Sequence, residues 1–224
     1  MLQRRRVSRD TVHHPVFARF YARCCGPAAD ERAGVAALRK QLLTGSMGRV
    51  IEVGAGSGLN FAHYPRTVSE VVAIEPEATL RAAARKAAAH AGVPVDLVPG
   101  VAEALPVKSE AFDAAVASLV LCSVRDVRRS LAELRRVLRP GGELRFFEHG
   151  RAAGRGLAAA QWSLDRTVWP LLMGGCHTWR DPLAEIRAAG FEVVHARRLR
   201  VPERGPTLPT SPVVMGMARR PIDD

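Results

Sequence analysis

Cysteine is scarce in this chain of 224 residues: Cys24, Cys25, Cys122 and Cys176 are the whole supply, and none stands at C-x-x-C spacing. That excludes a disulfide scaffold, leaves no metal site to expect, and makes reduced thiols in a cytoplasmic compartment the expectation. Long apolar runs are also missing, since stretches such as residues 114–122 end well short of the roughly 18 residues that a membrane span requires. The opening MLQRRRVSRD has no apolar segment behind its charges, so no secretory signal is expected. Lysine is limited to Lys40, Lys86 and Lys108, so the formal charge of +11 is almost wholly arginine. Aromatic residues make up only 5% and do not interleave with Arg125, Arg128, Arg129, Arg135, Arg136 and Arg139 as a base-stacking surface would require. Those arginines read as solvated helix faces, and Arg4, Arg5 and Arg6 as a frayed tail or a small anion patch.

What is present is enough for one α/β core: 47% of the residues are hydrophobic and no Ser/Gly-rich linker divides the chain. Residues 49–64, RVIEVGAGSGLNFAHY, read as strand, tight turn and helix. In Gly54-x-Gly56-x-Gly58 the backbone can turn sharply and bring its amides to a ligand that a Cβ would obstruct. The third glycine comes one residue too early for the dinucleotide fingerprint, which argues against NAD. Glu52, just before the bend, would repel a diphosphate and favour a cationic ligand such as S-adenosylmethionine, with its ammonium and sulfonium. A second apolar run, residues 71–74, ends in Glu75 about twenty residues beyond the glycines, where a carboxylate can take both hydroxyls of a ribose.

These segments, EVGAGSG and VVAIEP, resemble the first two motifs of the class I S-adenosylmethionine-dependent methyltransferases, and the resemblance extends over residues 49–149. It implies a Rossmann-like α/β fold: a doubly wound, seven-stranded, mostly parallel sheet with helices on both faces and an antiparallel last strand. It also implies a cofactor site made of Glu52, Gly54, Ala55, Gly56, Gly58, Asn60, Glu75 and Pro76. Ala102 and Glu103 in GVAEALP would lie by the adenine, and Ser118 and Leu119 would open on the methyl group.

Along the chain, residues 15–25 form an amphipathic helix stopped by Gly26-Pro27. Residues 28–43 continue as a second helix, and this N-terminal part is either a lid over the cofactor or added cover for the sheet. A helix over 77–91 is followed by a third strand at 95–98 and a fourth at 111–118. The next helix starts near Arg125 and runs to Leu138, and Pro140-Gly141-Gly142 precedes a fifth strand ending in Glu148-His149. Residues 157–173, with Trp162 and Trp169, read as a substrate-side insert interrupted by Pro170. A helix at 178–189, a sixth strand at 191–201, a proline-rich loop at 202–212 and a last strand at 213–218 complete the chain.

Methyl transfer from a sulfonium is an in-line displacement, so alignment and water exclusion do most of the work. A thiol or phenol acceptor benefits from deprotonation, and His149, at the end of strand five, is the candidate catalytic base. The competing reading, shared with Glu148, is a structural role beside the cavity. Cys122 reads as a core residue or part of the acceptor pocket, and Cys176-His177 as a turn with one member facing substrate. LVLCSV, FFEH, the Trp-rich helix and the GC-x-x-x-R turn resemble a narrower group, the small animal alkyl-thiol methyltransferase-like proteins and their bacterial relatives. Those animal proteins carry a membrane anchor that is not apparent here. The leading expectation is methylation of a small, apolar thiol, hydroxyl or amine. An RNA methyltransferase and a catalytically inactive cofactor-binding module are the alternatives, and oligomeric state is not legible.

Overall fold

A computed structural model describes residues 15–222, and Arg4 to Arg6 and the side chain of Cys24 lie outside the described residues. Strands β1 (Gly48–Val53), β2 (Val68–Ile74), β3 (Val95–Val98), β4 (Phe112–Ser118), β5 (Leu138–His149), β6 (Glu192–Arg200) and β7 (Pro212–Arg219) form one seven-stranded sheet in the order 3-2-1-4-5-7-6. β1 to β5 pair in parallel, while β7 runs antiparallel to both of its neighbours. The connecting helices among the described residues are α1 (Pro15–Cys24), α2 (Pro27–Arg32), α3 (Val35–Leu43), α4 (Ala78–Ala88), α5 (Val127–Val137), α6 (Arg155–Asp165), α7 (Trp169–Leu172) and α8 (Pro182–Ala188).

Alternation along the central strands assigns the two faces. Val50, Val71, Ala73, Ala114, Val116 and Phe147 pack with Leu42 and Leu43 of α3 and Ala84 of α4. Ile51, Val53, Val72, Ile74, Ala115 and Ala117 pack with Leu131 and Leu134 of α5 and Ile186 of α8. Because both faces are covered, the strands are apolar nearly throughout, as parallel strands must be. β1 lies between β2 and β4, so the winding reverses there, and the carboxyl ends of those strands are where open α/β sheets bind their ligands.

The expected fold is thus present, with local departures. The helix expected after the glycine bend is one 3-10 turn, Phe61–His63. Pro65 follows too soon for a longer helix and holds Tyr64 extended, at φ −66 and ψ 129. The single helix expected over 28–43 breaks at Gly34, which adopts φ +73. α5 begins at Val127 instead of Arg125 because the Asp126 carboxylate caps it, accepting from the Arg129 amide at 2.9 Å. The 157–173 insert is divided into α6 and α7, and α8 starts at Pro182 behind an Asp181 cap. No helix of the described residues is long and apolar enough to cross a membrane.

Candidate active site

All three glycines of the bend adopt left-handed backbone, with φ of +63, +57 and +82 at Gly54, Gly56 and Gly58. Their surroundings differ. A Cβ on Gly54 would lie 2.2 Å from Val120 Cγ2, and one on Gly58 would lie 2.7 Å from the Phe61 ring, so these two are small in order to pack. A Cβ on Gly56 would meet only Tyr21 Cε1, at an ordinary contact distance of 3.8 Å, so this glycine has room for a side-chain carbon beneath the Tyr21 ring. Ala55 donates its amide to Ile74 O at 3.1 Å, which ties the bend to the end of β2.

Glu75 stands across from the bend. Its Oε2 accepts from Gly56 N at 2.8 Å and its Oε1 from Glu77 N at 2.9 Å. Burial raises its pKa above the ordinary carboxylate value against the pull of those two amides. Arg81 of α4 clamps the same turn, donating to the carbonyls of Glu75 at 2.7 Å and Pro76 at 2.6 Å.

Glu52 lies beneath the bend, fully enclosed. Its oxygens accept from Asn60 Nδ2 at 2.9 Å and Tyr64 Oη at 2.6 Å. Burial pushes its pKa up to about 7, although both hydrogen bonds and Arg39 favour the charged form. Arg39 reaches in from α3, only 4% exposed, and donates through Nη1 to Asn60 Oδ1 at 2.9 Å and Ser118 Oγ at 3.1 Å. Its Nε pairs with Asp30 Oδ2 at 2.5 Å. One buried cation therefore joins the N-terminal helices, the glycine bend and the end of β4. Sequence alone does not single out Arg39, one of many arginines, nor does it reveal that the Tyr64 hydroxyl turns back onto Glu52, a contact made only in the fold.

Beyond Ser118 the chain makes its own sharp bend, with Leu119 at φ +58 and its amide donating to Phe147 O at 2.7 Å. A non-glycine residue held there costs on the order of 1–2 kcal/mol. Glu148, fully buried, supports this loop: Oε1 accepts the amides of Val120 at 3.0 Å and Leu121 at 2.9 Å, and Oε2 accepts that of Cys122 at 3.3 Å. Of the catalytic and structural roles open to it, Glu148 therefore fills the structural one.

His149 and the cysteines converge just beyond. His149 Nδ1 lies 3.5 Å from Cys122 Sγ and 3.4 Å from Cys176 Sγ. Burial alone would lower the pKa of His149, but Cys122 and Glu148 beside it leave it above the ordinary value. The Cys122 thiol is pushed well up by its hydrogen bond with Cys176 and by burial. Cys176 does not pair with its chain neighbour: His177 Nδ1 lies 3.7 Å from Asp165 instead, with its pKa lowered by burial and Arg180. Asp165 also accepts the amides of Thr178 and Trp179, both at 2.9 Å, which shapes the turn.

Other expected site residues are engaged by the surrounding structure. Ala102 is buried in the core beside Leu105. The Glu103 carboxylate is engaged by the amides of Arg125 at 2.9 Å and Asp126 at 3.3 Å, so it braces the start of α5. Trp162 is 46% exposed, with the Arg166 guanidinium stacked 4.0 Å from its ring centre, whereas Trp169 is half-buried. Three arginines of α5 and the start of β5 are used locally. Arg136 grips Glu133, Arg129 donates to Glu103 O at 2.9 Å, and Arg139 pairs with Asp113. A cavity of about 740 Å³ edged by Arg128, Arg135, Arg136 and Arg220 lies between α5 and α8, away from the glycine bend.

The bend, the bare backbone of Gly56 and the facing Glu75 carboxylate fit a positively charged nucleoside donor and offer no cation to a diphosphate. A methyltransferase-domain family model matches residues 51–146. The chain is 34% identical over 181 residues to the thiol S-methyltransferase TMT1B of Mus musculus, covering 79% of this chain and 73% of that protein. It is 33% identical over 197 residues to the malonyl-(acyl-carrier protein) O-methyltransferase of Methylococcus capsulatus, covering 78% and 67%. A solved S-adenosylmethionine-dependent methyltransferase from Mesorhizobium loti shares the fold at TM-score 0.58 and 20% identity, covering 82% of this chain and 96% of that one. With these relatives and a glycine bend faced by Glu75 at the switch point of its sheet, the chain belongs to the class I S-adenosylmethionine-dependent methyltransferases, and S-adenosylmethionine is its methyl donor.

Proposed function

We propose that this methyltransferase transfers its methyl group to a small apolar thiol in the cytoplasm. The observation that carries the choice of thiol is the sulfur-rich cluster of Cys122, Cys176 and His149, just past the Ser118-Leu119 bend. Thiol methylation is also what the mouse relative, matched over 73% of its length, is named for.

The main chain at Gly54, Ala55, Gly56 and Gly58 would hold the cofactor, and the Glu75 carboxylate would accept from its ribose hydroxyls. Pro76 and Ala102 would border its ribose and adenine, with Glu103 fixing the loop behind the base. Glu52, Asn60 and Arg39 keep the bend in shape, and Ser118 and Leu119 shape the methyl end. When bound, the cofactor supplies a methyl carbon on a positively charged sulfur, which is electrophilic without help from the protein. His149 is the catalytic residue on the acceptor side, placed to activate the incoming thiol. α1 acts as a lid: Tyr21 lies over Gly56, while a Cβ on Gly174 of the acceptor-side turn would meet Phe17 at 2.5 Å, so one helix touches both halves.

The local use of Arg129, Arg136 and Arg139 supports a small acceptor over RNA. A labelled-methyl screen across alkyl thiols, phenols, amines and RNA tests the reading. Transfer to thiols at least tenfold above the other classes is expected; transfer to RNA alone, or none despite cofactor binding, would end it.

A further inference from the structure

We propose that Cys122, Cys176 and His149 are the three protein ligands of a zinc ion whose fourth position takes the acceptor thiol; the fourth-ligand part rests on the proposed thiol acceptor. The sequence offers no hint of such a site, because the ligands lie 27 residues apart in each step and share no motif. The fold nonetheless gathers one ligand atom from each within 4.8 Å of one another. In a tetrahedral zinc site, with bonds of about 2.3 Å to sulfur and 2.0–2.1 Å to nitrogen, the sulfur and nitrogen stand about 3.6 Å apart. The two distances from His149 Nδ1, 3.5 and 3.4 Å, already match that spacing.

The ligands are also held in advance. Cys122 and Cys176 are 2% and 5% exposed. The Cys122 amide is anchored by Glu148, and its carbonyl accepts from His177 N at 2.7 Å, which fastens the two cysteine segments together. Gly174 and Gly175, at φ +61 and +86, turn the chain so that Cys176 points back at the strand ends, and a Cβ on Gly175 would lie 2.8 Å from Ser123 O. Three protein ligands with one position left over is the pattern of catalytic rather than structural zinc.

The chemistry follows from that open position. A thiol that coordinates the ion gives its proton to solvent and becomes a metal-bound thiolate. A lone pair on the thiolate sulfur attacks the methyl carbon and forms the new C–S bond. The old C–S bond breaks with its electron pair passing to the donor sulfur, which becomes a neutral thioether. The methylated product, now a weak ligand, leaves the zinc. His149 then activates the acceptor as a ligand, not as a free base.

The test uses the reduced full chain. Titration with Zn²⁺ against a chromophoric chelator should show one tightly held ion, and Co²⁺ should give an intense thiolate-to-metal charge-transfer band. Adding an alkanethiol without cofactor should change the cobalt spectrum, a readout independent of turnover. Cys122→Ser/Cys176→Ser should weaken Zn²⁺ binding by more than about 100-fold, beyond the loss seen for outer-shell partners, with circular dichroism unchanged. If that double variant does not fold, Cys176→Ala on its turn serves instead and should lose the same band. Zn²⁺ binding no tighter than millimolar, or a band that survives in these variants, overturns the site. A cobalt spectrum indifferent to thiol overturns the fourth-ligand role. A protein that methylates thiols after complete removal of zinc overturns the zinc mechanism alone, whereas one that binds Zn²⁺ but methylates only phenols or amines overturns the thiol reading and leaves the three-ligand site standing.

Discussion

Gly56 donates its backbone amide to Glu75 Oε2 at 2.8 Å, so the acid that ends the second strand holds the glycine bend. The same carboxylate is the one that would take the ribose hydroxyls, and shaping the loop and binding the nucleoside therefore share one group. Glu75→Gln keeps an acceptor for Gly56 but loses the charge. Calorimetric titration should show S-adenosylmethionine binding weakened by about 1.5–3 kcal/mol, roughly 10- to 100-fold. Unchanged affinity would remove Glu75 from the cofactor site.

The two neighbouring glycines should fail differently. Gly54→Ala drives a methyl group into Val120 and should reduce stability as well as binding, whereas Gly56→Ala has room and meets only the strain of its φ, on the order of 1–2 kcal/mol. Thermal unfolding with and without cofactor separates them; equal loss of stability in both would contradict the division into packing and binding glycines.

Arg39 is the buried junction between Asp30, Asn60 and Ser118. Arg39→Met leaves the Asp30 carboxylate, itself mostly buried, without its partner, and should cost about 3 kcal/mol in urea unfolding. A loss under about 1 kcal/mol would show that the junction is dispensable.

Glu52 carries a pH signature. Its folded-state pKa, about 7, is above the ordinary 4.5, so the native state holds a proton that the unfolded chain has released between those values. Its contribution is full below 4.5, falls as pH rises to about 7 and is flat above that. At 1.36 kcal/mol per pH unit the fall amounts to about 3 kcal/mol. Stability measured from acid to neutral pH should decline more steeply in the wild type than in Glu52→Gln, and parallel curves would refute the assignment.

α1 should gate the cofactor. Tyr21→Ala uncovers Gly56 without touching the bend itself, so dissociation of S-adenosylmethionine followed by stopped flow should accelerate roughly tenfold with little change in association. An unaltered off-rate would make α1 cover for the sheet and nothing more.

Much of this was legible in the chain itself. Short continuous apolar runs, the Gly54-Gly56-Gly58 bend and the placement of Glu75 determine an α/β sheet and its donor, because steric limits on backbone and the hydrophobic effect act locally. The helix expected after the bend was lost to Pro65 and to the pull of Glu52 on Asn60 and Tyr64, a competition between local propensity and buried hydrogen bonds. Arg39 is one arginine among thirty-three basic residues, and only its burial against Asn60 and Ser118 sets it apart. The meeting of Cys122, His149 and Cys176 was beyond any reading of spacing. Their proximity depends on which strands neighbour each other and on how the Gly174-Gly175 turn folds back, and those are decided by packing across the whole sheet, where no nearby residue carries the information.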